Sequence, residues 1–208
     1  MTFTIIAGDP KTGEMGVATT TCLVAVGDVV PTAEAGVGVV ACQAHIRPSN
    51  RAKLLDYLKA GITLERAVEI VLEDDSRADQ RQILGIDAAC KPFVYTGAGV
   101  DGDSGGILGD HHAVAGNLLA HTSVLHAMDL SFQMASTDSL AHRLVRALSA
   151  GEQAGGDKRG RMSAALCIVA PNQRAVSLRI DYSEDPLTDL KAAIVHRLTP
   201  SLSDAFNR

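Results

Sequence analysis

The sequence has 208 residues, a formal net charge of −5, 46% hydrophobic residues and only 3% aromatic residues, with no Trp. That length suits one domain able to bury a core without disulfide or metal staples. An acidic, ring-poor chain lacks the aromatic platforms and positive groove of a single-strand nucleic-acid binder, and its apolar content excludes general disorder.

No run of about 20 uninterrupted apolar residues offers a membrane span. The start has no basic cluster and meets Asp9 and Pro10 too early for a signal peptide. Cys22, Cys42, Cys90 and Cys167 form no C-x-x-C pair and sit in apolar surroundings. They are expected as reduced, buried thiols of a cytoplasmic protein.

From the N-terminus, the first forty-odd residues read as strands. Residues 2–7 alternate, with Phe3, Ile5 and Ala7 on one face and Thr2, Thr4 and Ile6 on the other. A turn at 8–13 leads to a second strand at 15–21, so the two predict a hairpin. Residues 37–44 form a small, branched, apolar run, expected as a strand buried on both faces. A helix is predicted over 50–60, with Leu54, Leu55 and Leu58 on one stripe and a stop at Gly61. Thr63 can cap the next helix, whose apolar face is Ala67, Val68, Val71 and Leu72.

Strands return at 81–86 and 93–96. The glycine- and aspartate-rich stretch 97–109 reads as a long loop, followed by a short strand at 113–117. Two helices follow, one on Val124, Leu125, Met128 and Phe132, the other on Leu140, Leu144, Val145 and Leu148. A polar, basic loop occupies 155–161. Strands at 162–169 and 175–180 come next. Asp185 and Pro186 open a last helix that buries Leu187, Leu190, Ile194 and Leu198. Hairpin connections predict mainly antiparallel sheets. Helix pairs need apolar sheet faces to cover. The expectation is an α+β, four-layer αββα sandwich forming a single domain over residues 1–208.

Several residues could carry chemistry. Thr2 follows the initiator Met1 and is small enough for Met1 to be trimmed. The freed α-amine would sit beside the hydroxyl, placing base and nucleophile on one residue, and its reference pKa near 8 suits a general base. Residues Gly102-Asp103-Ser104-Gly105-Gly106 reproduce the nucleophile motif of chymotrypsin-like proteases, with His45 and Asp87 upstream in matching order. The helices and the short His-to-Ser gap argue against that, and a glycine-rich loop is the reading adopted. Asp101, Asp103, Asp110, His111 and His112 offer oxygen and imidazole donors, but no spacing fixes two of them on a helical face, and no metal or cofactor is expected. The stretch Gly155-Gly156-Asp157-Lys158-Arg159-Gly160-Arg161 combines glycines with cations able to grip a carboxylate or phosphate, yet it lacks Walker spacing.

The segments Thr2-Phe3-Thr4-Ile5-Ile6-Ala7, Ala25-Val26-Gly27-Asp28-Val29-Val30-Pro31, Ala35-Gly36-Val37-Gly38-Val39-Val40-Ala41, Gln43-Ala44, Arg81-Gln82, Gly116-Asn117-Leu118-Leu119 and above all the 155–161 loop resemble the family called domain of unknown function 1028. That family is grouped with the N-terminal nucleophile hydrolases. The resemblance implies the αββα sandwich and hydrolysis of an amide or peptide-like C–N bond by Thr2. It makes Gln43 and Asn117 candidates for the oxyanion hole. Asp157, Lys158, Arg159 and Arg161 become candidates for binding a small-molecule substrate or supporting the nucleophile. It also implies a homo-oligomer. Family members usually carry a Ser-Lys pair where Thr21 and Cys22 stand here. That departure favours the alternative of an inactive small-molecule binding or structural protein on the same fold, one that would retain Met1.

Overall fold

The computed structural model describes residues 2–198. The chain begins with the hairpin β1 (Thr2–Asp9) and β2 (Glu14–Thr21), a single helical turn α1 (Val26–Val29), and β3 (Pro31–Glu34) with β4 (Gly38–Ala44). Helices α2 (Ser49–Lys59) and α3 (Leu64–Glu73) precede β5 (Arg81–Asp87) and β6 (Pro92–Thr96). Then come β7 (Asp103–Leu108), β8 (His112–Leu119), α4 (Ser123–Met134) and α5 (Leu140–Gln153). The chain closes with β9 (Ser163–Val169), β10 (Val176–Ile180) and α6 (Pro186–Leu198).

Two antiparallel sheets result, ordered β10-β9-β2-β1-β8-β7 and β3-β4-β5-β6. Period-two alternation sorts the side chains into three layers. Phe3, Ile5, Ala18, Val114 and Leu166 face outward from the larger sheet and are buried beneath α4, α5 and α6. Val40, Cys42 and Ile83 face outward from the smaller sheet, under α2 and α3. Between the sheets lie Ile6, Val17, Val39, Ala41, Leu84, Ala113, Ala115 and Ala165, with no ring in the cluster. The scarce aromatics Phe3, Phe132, Tyr57, Phe93 and Tyr95 sit in the outer layers. Alanine and valine therefore set a thin inter-sheet layer. The expected αββα sandwich is what forms.

Local signals behave as their chemistry requires. The Thr63 hydroxyl accepts from the Arg66 N–H at 3.4 Å and caps α3. Asp185 accepts from the Thr188 hydroxyl at 2.8 Å at the start of α6. Leu187, Leu190 and Ile194 are buried as expected, while the Leu198 side chain lies outside the described residues.

Two sequence expectations need correction. The 97–109 stretch is not loop throughout, because Asp103–Leu108 forms edge strand β7. Glycine obscures it: Gly105 and Gly106 pair with Gly116 and Ala115, with a register shift after Asp103. A Cβ on Gly106 would lie 2.5 Å from Val94 Cγ1, so the close approach of β6 excludes any larger residue there. The opening segment is likewise not all strand, since α1 interrupts it ahead of β3.

Candidate functional site

Thr2 begins β1 between two neighbours, in register with Thr21 on β2 and Asn117 on β8. The alternation that sends Phe3 outward turns Thr2, Thr4 and Ile6 toward the second sheet. Thr2 is 7% exposed, and its Oγ1 donates to Thr21 Oγ1 at 3.4 Å.

Beneath it a polar network crosses between the sheets. The Thr4 hydroxyl shares a 2.7 Å hydrogen bond with that of Thr19 and donates to Gln43 Oε1 at 2.6 Å. Gln43 reaches over from β4, and its Nε2 donates to Gln82 Oε1 at 2.7 Å, with Ala115 O at 3.3 Å and Thr2 O at 3.5 Å. Asn117 Nδ2 donates to the same Gln82 oxygen at 2.9 Å. Gln82 Nε2 in turn faces Thr96 Oγ1 at 2.9 Å and Gly116 O at 2.9 Å. Buried amides are tolerated here because each finds partners. Both N–H groups of Gln43 are thereby engaged, whereas among the described residues one N–H of Asn117 has no partner.

Sequence reasoning assigned no role to Gln82, Thr4 or Thr19. The signal was present in the alternation. Gln82 shares a face with Leu84 and Ile86, as Gln43 does with Ala41 and Val39, so each amide had to point between the sheets.

Asn117 also lines a small cleft of about 170 Å³ with Ala44, His45, Asp101 and Leu118. Ala44 and Leu118 take positive φ, 64° and 51°, a left-handed conformation uncommon for residues with a Cβ. Such strain gathers at functional sites. Arg81 fixes one wall, donating to the His45 carbonyl and, from Nε at 2.9 Å and Nη2 at 3.0 Å, to Asp75.

The 155–161 loop packs against the ends of β2 and β8. The Asp157 carboxylate is fully enclosed and accepts from the Cys22 N–H at 3.3 Å and the Arg159 N–H at 2.7 Å. Leu119 and Asp157 form a bridge that ties the loop to the end of β8. Lys158 is exposed, and its Nζ lies beside Gly102. Arg159 lies against Asp157, with Nε at 3.5 Å. Arg161 instead pairs with Glu152 of α5 and with Asp185 at 3.4 Å. Gly156, at φ +51°, packs where a Cβ would strike the Glu152 carboxylate. Burial, then the charge of Asp157, raises the Cys22 thiol above its ordinary pKa, so it is a neutral thiol and not a thiolate.

The remaining candidates do not converge. Ser104 lies on β7 with its hydroxyl toward Val100 O, while Asp87 accepts from Ala89 and Lys91 N–H groups in the β5–β6 turn. The length of β7 separates Asp101 and Asp103 from Asp110. Among the described residues no group of three or more His, Cys, Asp or Glu could hold a metal. No described helix is long and apolar enough to cross a membrane.

Two stacked antiparallel sheets between helix layers, with the first strand at the heart of the larger sheet, make a four-layer αββα sandwich. The chain belongs to the family described as a family of unknown function, DUF1028, whose family model matches residues 2–190. The crystal structure of protein SPO2555 from Silicibacter pomeroyi, of the same family, superposes with a TM-score of 0.91 at 32% identity, covering 98% of this chain and 89% of that one. More distant likenesses are the Gly-1 mutant of Anbu from Hyphomicrobium sp. strain MC1 (TM-score 0.46, 12% identity, 100% of each chain) and Anbu, an ancestral beta-subunit, from Yersinia bercovieri (TM-score 0.41, 10% identity, 96% of this chain and 99% of that one). No curated protein matches the sequence.

Proposed function

We propose that this protein is an amidohydrolase acting on the C–N bond of a small amide or peptide-like substrate, with Thr2 as nucleophile after removal of Met1. The observation that carries the reading is the position of Thr2. It begins a central strand with its side chain on the inter-sheet face, in register with an asparagine that lines a small cleft. In the proposed reaction the freed α-amine of Thr2 takes the proton from Oγ1 as Oγ1 attacks the substrate carbonyl carbon. The resulting oxyanion accepts from Asn117 Nδ2, which has an uncommitted N–H. The C–N bond breaks as the α-ammonium returns its proton to the leaving nitrogen. Water then hydrolyses the ester on Thr2 and frees the acid.

Gln43 supports this site from below, because its amide is engaged with Gln82 and the backbone. Among the loop residues, Lys158 and Arg159 are the cations placed to meet an anionic substrate group. Asp157 holds the start of the β2–α1 connection through Cys22, and Arg161 braces the loop. A cytoplasmic location and a homo-oligomer complete the proposal, the exposed Leu130, Met134 and Val195 of the outer helices offering apolar surface for association.

One observation favours a second reading, a non-catalytic small-molecule binder that keeps Met1. Cys22 stands where the family resemblance leads one to expect lysine, and its neutral thiol supplies no cation beside the nucleophile. A panel of amide substrates tested against the protein and its Thr2→Ala variant separates the two. Hydrolysis lost in the variant supports the amidohydrolase; no hydrolysis in either supports the binder, and equal turnover removes Thr2 as the nucleophile.

A further inference from the structure

The opposite end of the sheets holds a second cavity, of about 590 Å³, for which neither the sequence nor the Thr2 site assigns a role. The eight residues of β1 place it roughly 23 Å from Thr2 at about 3.3 Å per residue. Its size falls in the ~300–1,000 Å³ range of small-molecule pockets. The β1–β2 turn, the β7–β8 turn and the facing ends of α4 and α5 line it.

Its charges are what identify an occupant. The Arg143 guanidinium lies over the Phe132 ring, its carbon 3.9 Å from the centroid, and Nη2 donates to the Phe132 carbonyl at 3.4 Å. These contacts position the cation without neutralising it. Asp129, the nearest carboxylate on α4, is engaged elsewhere: it binds His112 Nε2 at 2.7 Å and accepts from Gln133 Nε2 at 3.0 Å. Among the described residues neither Arg143 nor Lys11 makes an ion-pair contact within 4 Å, and neither do the two carboxylates on the same walls, Asp9 and Asp110, although both cations lie in the longer-range field of Asp9. The Lys11 N–H, at 2.9 Å, holds the Asp9 carboxyl below its usual range, so Asp9 is ionised at neutral pH.

The cavity thus presents two cations and two carboxylates that share a field but make no direct ion-pair contact. A simple anion would meet the field of Asp9 and Asp110, and a simple amine that of Arg143 and Lys11. A molecule carrying both charges satisfies all four. We propose that this cavity binds a free α-amino acid, its carboxylate gripped by Arg143 and Lys11 and its ammonium held by Asp9 and Asp110.

The test is an NMR titration of the full chain with L-alanine and with its two half-charged analogues, propionate and ethylamine. The expected result is saturable shifts of amides in residues 8–11 and 109–111, with alanine bound about tenfold or more tighter than either analogue. Arg143→Gln should weaken alanine binding by a similar factor. Lys11→Gln, on an exposed turn, provides a second variant whose folding is not at risk. Weakening in either folded variant supports the site. Absence of saturable shifts, propionate or ethylamine binding as tightly as alanine, or unchanged alanine affinity in both variants overturns it. The reading of Thr2 stands or falls separately, since no residue is shared.

Discussion

Asn117 Nδ2 donates to Gln82 Oε1 at 2.9 Å, across the gap between the two sheets. The same oxygen accepts from Gln43, so one glutamine amide fixes both amides named as candidates from the sequence. Gln82→Ala would strip partners from Asn117, Gln43 and the Gly116 carbonyl at once. Buried polar groups left unpaired cost ~1–3 kcal/mol each, so a loss of about 3 kcal/mol is expected in urea unfolding. A loss below about 1 kcal/mol would show that water readily replaces the network.

Acid stability should depend on Asp75. Arg81 donates to it twice, which holds its carboxyl below the ordinary carboxylate range. The unfolded chain therefore takes up the proton more readily than the folded one. The contribution is complete above the unfolded pKa of about 4 and is lost as pH falls through the lower folded value. Urea midpoints measured from about pH 6 down to pH 3 should decline less steeply in Asp75→Asn than in the parent. Parallel acid limbs would assign the decline to other carboxylates.

Thiol reactivity gives an independent check on the sandwich. Burial against α2 and α3 pushes the Cys42 thiol up to about 12, and the residue is 3% exposed. In the native protein at pH 8, iodoacetamide should leave Cys42 unmodified, with labelling appearing only on unfolding. Native-state labelling at Cys42, read by peptide mass spectrometry, would contradict its placement beneath the helices.

Cation placement in the 155–161 loop makes a sharper functional forecast. Lys158→Ala and Arg159→Ala should raise KM for an anionic substrate more than they lower kcat. Arg161→Ala should instead reduce stability, because it leaves the Glu152 carboxylate of α5 without its partner. Thermal unfolding beside steady-state kinetics distinguishes the two classes.

The sandwich was legible because side-chain alternation and the helix stripes agree. Phe3, Ile5 and Ala7 had to lie opposite Thr4 and Ile6, and the apolar run at 37–44 had to be covered on both sides. Strand β7 was hidden because Gly105 and Gly106 carry no pattern; its reason lies in the approach of Val94, a tertiary fact. Thr2 and Asn117 were visible as residues, but their adjacency depends on the β1–β8 pairing of segments more than a hundred positions apart. The roles of Asp157 and Arg161 likewise needed partners, Cys22 and Glu152, that no local spacing announces.

The central claim is that Thr2 acts through its own free α-amine. Intact-mass and N-terminal peptide analysis of the protein purified from its native cell tests it most directly. The account predicts chains that begin at Thr2. A protein that carries Met1 on the bulk of its chains would contradict it.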